Sequence, residues 1–138
     1  MRFMIIVKGT PETEAGKPPD QKLVDDMAAY HEELAAAGML VDASGLLPTA
    51  KGFKIRWADG GKPTVVDGPF TESKEIIAGY SVIEAASREE AIAWARRFPN
   101  PMGQGCAAEI EVRQLFALED FEGVDMSRFQ ALDLPAQR

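Results

Sequence analysis

One histidine and one short charged loop are the groups in this chain best suited to chemistry. His31 is the only histidine, and an imidazole exchanges a proton near neutral pH. The loop is VVDGPFTESKE, residues 65–75. Its Asp67 can act in either of two ways. The carboxylate can bond the backbone amides of its own turn, or it can project into a cleft at a strand end and accept a proton or a hydrogen bond. Gly68 permits positive φ and Pro69 fixes the next φ, so the chain turns sharply there. Phe70 then serves as core or cleft wall. In an extended segment Glu72 and Lys74 share a face and Glu75 lies opposite. Such a pair holds a polar ligand, or forms a solvated surface ion pair worth little. With Asp67 and His31 as a proton-handling couple, Glu72 and Lys74 setting charge, and Phe53, Trp57, Phe70 and Tyr80 as walls, these groups describe a cleft for a small polar molecule. The alternative is an interaction module in which Asp67 is only a turn residue and His31 faces solvent far from it. The separation of Asp67 and His31 discriminates between the two.

Other chemistries find less support. One histidine and one distant cysteine give no ligand-spaced metal cluster. Gly60-Gly61 and Gly103-x-Gly105 lack the strand-to-helix setting of a phosphate loop, and no cofactor motif is present. Cys106 has no nearby base and reads as a small buried or strand-edge residue. A lone cysteine allows no internal disulfide, which suits a reducing cytoplasm. The net charge is −7 and the basic residues are scattered, which argues against direct nucleic-acid binding. MRFMIIV is too short for a signal-peptide core, and no apolar run approaches the ~20 residues that span a membrane. The expected setting is cytoplasmic.

The elements that must position these groups follow from periodicity. The chain of 138 residues, 46% apolar, fits one domain. Residues 2–8 read as a strand apolar on both faces, with Phe3, Ile5 and Val7 against Met4 and Ile6, so it is central. Residues 9–19 read as a polar loop. Asp20 caps a helix that runs to about residue 37 and stops at Gly38. Its stripe is Leu23, Met27, Tyr30, Leu34 and Ala37, and His31 lies about 80° from the stripe centre, on the side of Val24. A strand over 39–48 breaks at Gly45. A hairpin pairs 52–57 with 62–66 around Asp59-Gly60-Gly61. A strand over 75–84 places Ile76, Ala78, Tyr80 and Val82 on one face. Ser87 opens a second helix with capping-box spacing to Glu90, and Pro99 ends it. Residues 108–113 alternate as an antiparallel strand with one wet face. Without the hairpin the order is β-α-β, β-α-β: an α+β, ferredoxin-like split sandwich. Two helices cover one face of its sheet, so the other face calls for a partner, most simply a second copy through a two-fold interface.

VVDGPFTESKEIIAGYSVIEAASREEAIAWARRFPNP resembles the signature segment of the DGPF-domain proteins, a branch of the YCII-related superfamily. The matching pieces are Asp67 to Phe70, Glu72, Lys74, Glu75, Gly79-Tyr80 and the helix with Ala91 and Trp94. MRFMIIVKG, AAGML, SGLLP and EIEVRQLF match as well, so the resemblance covers roughly residues 1–118. It implies a ferredoxin-like, dimeric α/β-barrel fold with a cleft to which the DGPF loop contributes. It implies Asp67 as a site residue, with His31 as its partner from the first helix. Residues 119–138 then form a tail packed on the body or on the partner subunit, with Phe121, Met126 and Phe129 as anchors. The resemblance also suggests, for the alternative reading, a protein partner in sigma-factor-dependent transcription.

Overall fold

The computed structural model describes residues 1–71 and 73–137, and of Ser73 the backbone only. It is a mixed α+β fold built on an antiparallel four-stranded sheet in the order β2-β5-β1-β6. β1 (Arg2–Lys8) and β5 (Ile77–Glu84) occupy the centre, with β2 (Leu40–Gly45) and β6 (Ile110–Gln114) at the edges. The apolar-on-both-faces pattern of β1 matches its central place.

Two helices, α2 (Gln21–Ala36) and α3 (Arg88–Arg96), cover one face. The Asp20 carboxylate accepts the Leu23 amide at 2.9 Å, and the Ser87 hydroxyl accepts the Glu90 amide at 3.1 Å. Each cap satisfies an amide that has no partner within its helix. Gly38, at φ 72°, stops α2 in the left-handed region. Tyr30 and Leu34 of α2 and Ala91 of α3 meet Phe3, Ile5 and Ile83 of the sheet, and Ile5, Leu34 and Ile83 are fully buried. The Tyr30 hydroxyl donates to the Trp94 carbonyl at 2.8 Å, and Arg97 pairs with Glu33, so the helices are also tied to each other. Burial pushes the Tyr30 phenol up to about 12, against a smaller opposing pull from Arg97.

The sheet face without helices carries Met4, Ile6, Tyr80 and Val82. Ile6 and Val82 are nonetheless buried within the single chain. Cross-strand pairing sets Ile6 between Tyr80 and Glu111, and Met4 between Val82 and Arg113.

Residues 9–19 are less irregular than a polar loop. They contain a one-turn helix, α1 (Pro11–Glu14). Thr10 accepts the Thr13 amide while the Thr13 hydroxyl accepts the Thr10 amide, and Pro11 sits in the first helical turn. That is a capping box with proline where its missing N–H does no harm. Cys106 departs from expectation too: it is exposed in a turn, short of β6. After β6 the chain carries a short helix, α4 (Ser127–Gln130), and returns to the body where Arg2 donates to the Pro135 carbonyl. Of the expected tail anchors, Phe121 and Met126 are half-buried, and Phe121 lies 4.9 Å from Phe116, ring to ring. Phe129 is exposed instead.

Candidate functional site

The DGPF loop is carried by a hairpin. β3 (Phe53–Arg56) and β4 (Thr64–Asp67) form a separate two-stranded sheet, with Asp67 the last residue of β4 and opposite Phe53. The base of this hairpin is tied to the body through Thr49. The Thr49 amide and hydroxyl donate to the two oxygens of Glu14 at 3.1 and 2.5 Å, and the Thr49 hydroxyl accepts the Phe70 amide at 3.0 Å. The Gly68 amide donates to the Gly52 carbonyl at 3.0 Å. The Gly68–Pro69 peptide is cis.

These bonds correct two readings of the loop. Gly68 is not in the left-handed region. Its glycine answers to a close approach, since a Cβ there would lie 1.8 Å from the Thr49 carbonyl oxygen. Asp67 does not cap its own turn either: the turn amides are satisfied by Thr49 and Gly52, and the Asp67 side chain is exposed with no bonded partner among the described residues. Phe70 is half-buried, with the Lys54 ammonium 4.2 Å from its ring centroid. Lys74 is exposed in a 3-10 turn, Ser73–Glu75. The chain is therefore not extended there, and the alternation that would align Lys74 with Glu72 does not operate. Glu72 itself lies outside the described residues.

His31 sits elsewhere. Its Nδ1 is 2.7 Å from the Met27 carbonyl oxygen and its Nε2 is 2.7 Å from the Ser81 hydroxyl. A carbonyl can only accept, so Nδ1 carries the proton and donates to Met27. In the neutral ring Nε2 is then the acceptor, and Ser81 donates to it. The ring stands edge-on to Tyr30 at 5.4 Å and to Phe98 at 6.2 Å, which fixes its plane by packing as well as bonding. Ser81 is 3% exposed and faces the helices from the middle of β5. Both ring nitrogens are occupied, so Asp67 is not hydrogen-bonded to His31 within one chain.

Tyr80 lies on the opposite sheet face, because β5 alternates and Ser81 faces the helices. Its hydroxyl donates to Asp42 at 3.4 Å, and it cannot line a cleft between sheet and first helix. Phe53 and Trp57 are exposed on the hairpin and line no wall within the chain.

The sequence reading missed Ser81, although a signal was present. β5 puts Gly79, Ser81 and Ile83 on the helix-facing side, and a lone hydroxyl among apolar neighbours demands a partner. Thr49 and Glu14 carried no comparable signal. Around Ser81 the floor is low: Ala43 pairs with Ser81, and Gly45 with Gly79. Two hollows lie away from His31. One of about 290 Å³ is bounded by the start of α2 and the turn at Asn100 and Gly103. The other, about 330 Å³, lies between α3 and β6. Among the described residues no group of three His, Cys, Asp or Glu side chains is placed to hold a metal ion, and no helix is long and apolar enough to cross a membrane.

The model of the YCII-related domain matches residues 1–116. The chain belongs to the YCII-related family. A relative in Rhizobium meliloti (strain 1021), the uncharacterised protein R00369, is 34% identical over 84 residues, which are 61% of this chain and 67% of that protein. Among solved structures, this member of the family is similar to a 5-chloro-2-hydroxyhydroquinone dehydrochlorinase from Burkholderia phenoliruptrix AC1100 in complex with 2,5-dihydroxybenzoquinone. That pairing covers 87% of this chain and 98% of the other, at 17% identity and a TM-score of 0.45. A likeness so distant carries no inference about chemistry.

Proposed function

We propose that this YCII-related protein binds a small polar molecule at the His31–Ser81 pair and exchanges a proton with it, as a homodimer of ferredoxin-like sandwiches of the dimeric α/β-barrel type. The fold reading is supported by the strand order β2-β5-β1-β6 with both helices on one face. The observation that carries the site is the 2.7 Å contact from the Ser81 hydroxyl to Nε2, with Nδ1 committed to Met27. An imidazole held in one tautomer by a carbonyl presents its other nitrogen as a base of fixed direction. A ligand hydroxyl that takes the place of Ser81 beside Nε2 meets the same acceptor in the same plane. The free, exposed Asp67 carboxylate supplies negative charge at the hairpin base, and Phe70 and Lys74 lie on the same loop. The protein works in the cytoplasm.

Thermal-shift screening against a metabolite panel tests this on the wild type and on Ser81→Ala, His31→Gln and Asp67→Ala. A ligand whose shift vanishes in His31→Gln but is kept or enlarged in Ser81→Ala supports the site. A ligand whose shift survives His31→Gln moves the site elsewhere. A panel without any shift favours an interaction module linked to transcription.

A further inference from the structure

β6 leaves one edge of the four-stranded sheet open. Register tells which of its backbone groups face outward. The Leu115 amide donates to the Arg2 carbonyl at 2.8 Å, and the Lys8 amide donates to the Glu109 carbonyl at 3.2 Å. In an antiparallel pair, residues that bond across alternate with residues that do not. Residues 109, 111, 113 and 115 therefore bond to β1. The amides and carbonyls of Ile110, Val112 and Gln114 point away from the sheet, with no bonded partner among the described residues. Such a row of free donors and acceptors is a template for another strand.

The same residues floor a hollow. Ile110 lies opposite Val7 and Val112 opposite Ile5, so their side chains point to the helix side. There the hollow of about 330 Å³ runs between β6 and α3. Its far wall is one face of α3. Arg88, Ala91, Ile92, Ala95 and Arg96 recur at the spacing of neighbours on a helix surface. The alanines keep the middle low and apolar. A guanidinium stands at each end, and the two positions are about 12 Å apart along the helix axis. Both arginines are exposed, and neither has an ion pair among the described residues. Among the described residues no Asp or Glu lines the hollow, although the chain as a whole carries a charge of −7. The trough is a positive island on an acidic protein, and its chemistry suits carboxylates at both ends of an apolar middle.

We infer that the β6 edge and the α3 trough take up an extended acidic peptide of a partner protein as a fifth strand of the sheet. Its backbone pairs with Ile110, Val112 and Gln114. Its alternate side chains point to the helix side, over the trough. Four residue steps of strand cover about 13 Å, close to the separation of the two arginine positions. Acidic side chains four residues apart thus meet Arg88 and Arg96, and a small apolar side chain midway between them rests on Ala91 and Ala95. A free dicarboxylate satisfies the arginines but leaves the edge unpaired, and this is what favours a peptide. The site is separate from the His31–Ser81 pair and does not depend on it.

Fluorescence polarisation with the full chain and a labelled peptide, Thr-Glu-Thr-Val-Thr-Glu-Thr, tests the inference. The wild type should bind it saturably. Arg88→Glu with Arg96→Glu changes only exposed positions, and should weaken binding at least ten-fold while the circular dichroism stays unchanged. Replacing both glutamates of the peptide by glutamine should weaken binding to the wild type as much. A peptide N-methylated on its three central backbone nitrogens keeps every side chain but loses the strand donors, and it should also bind at least ten-fold more weakly. Hydrogen exchange at Ile110, Val112 and Gln114 should slow when the unmodified peptide is bound. No binding up to millimolar peptide overturns the inference outright. Binding that survives the charge reversal overturns the trough as the seat. Binding that N-methylation leaves unchanged, or that free decanedioate displaces at equal concentration, overturns the added strand and leaves carboxylate capture by two arginines in its place.

Discussion

The helix-covered side of the sheet and the β3–β4 hairpin obey opposite rules. On the first, every buried side-chain polar atom among the described residues has a hydrogen-bond partner, and Ile5, Leu34 and Ile83 are sealed from water. On the second, all eight strand residues are exposed except the half-buried Val66, and Asp67 has no bonded partner among the described residues. The sandwich is complete as a single chain. The hairpin is held to it by a few bonds at Thr49 and Gly52, and its apolar face is left exposed. Residues that pack within the chain lie in one region, and apolar residues left exposed lie in the other.

The core should show the greatest loss of stability on substitution. Leu34→Ala deletes a fully buried side chain at the meeting of α2 with Phe3, Ile5 and Ile83. It should cost about 2–5 kcal/mol, read as a lowered midpoint in urea. Loss below about 1 kcal/mol would mean that the two regions differ less than their burial says. Gly68→Ala is next, and it separates the regions. The added Cβ meets the Thr49 carbonyl at 1.8 Å, where backbone rather than a flexible side chain must move. Overpacking of this sort costs about 1–3 kcal/mol. Hydrogen exchange should show protection lost across residues 53–67 and kept in β1 and β5. Uniform loss across both regions would show that the hairpin is cooperative with the core.

The same division explains what could be read from the amino-acid order. Period-two and period-four patterns mark residues that face a local core, so β1, β5, α2 and α3 were legible, as were the caps at Asp20 and Ser87. The hairpin was legible as a hairpin, since Gly60 at φ 65° does turn it. What Asp67 does was not legible. The partner that satisfies the turn is Thr49, some 18 residues upstream, and nothing in the DGPF stretch points to it. The reason for Gly68 was hidden for the same cause, because close approach is a tertiary fact while backbone freedom is a local one. His31 was found by its rarity, but its partner Ser81 lies 50 residues on, and only the misfit of a serine on an apolar face could have signalled it. The short helix at Pro11–Glu14 was obscured by Pro11 and by Pro18 and Pro19 after it, which read as loop until Thr10 is recognised as a cap.

The smallest effect sharpens the contrast from the side of the sandwich. Tyr30 is buried among Trp94, Phe98 and His31, and its hydroxyl donates to Trp94. Removing that bond in Tyr30→Phe should cost about 1 kcal/mol at neutral pH. The pH dependence is more telling. Burial holds the phenol protonated in the folded chain up to about 12, above its ordinary value of 10.0. The unfolded chain therefore releases this proton first as pH rises, and ionisation favours unfolding. The contribution is fully present below pH 10 and is lost progressively between about 10 and 12. Wild-type stability should fall across that window, and the fall should be shallower in Tyr30→Phe. Equal slopes would mean that water reaches the phenol, and that the helix-covered side is less closed than its hydrogen bonds imply.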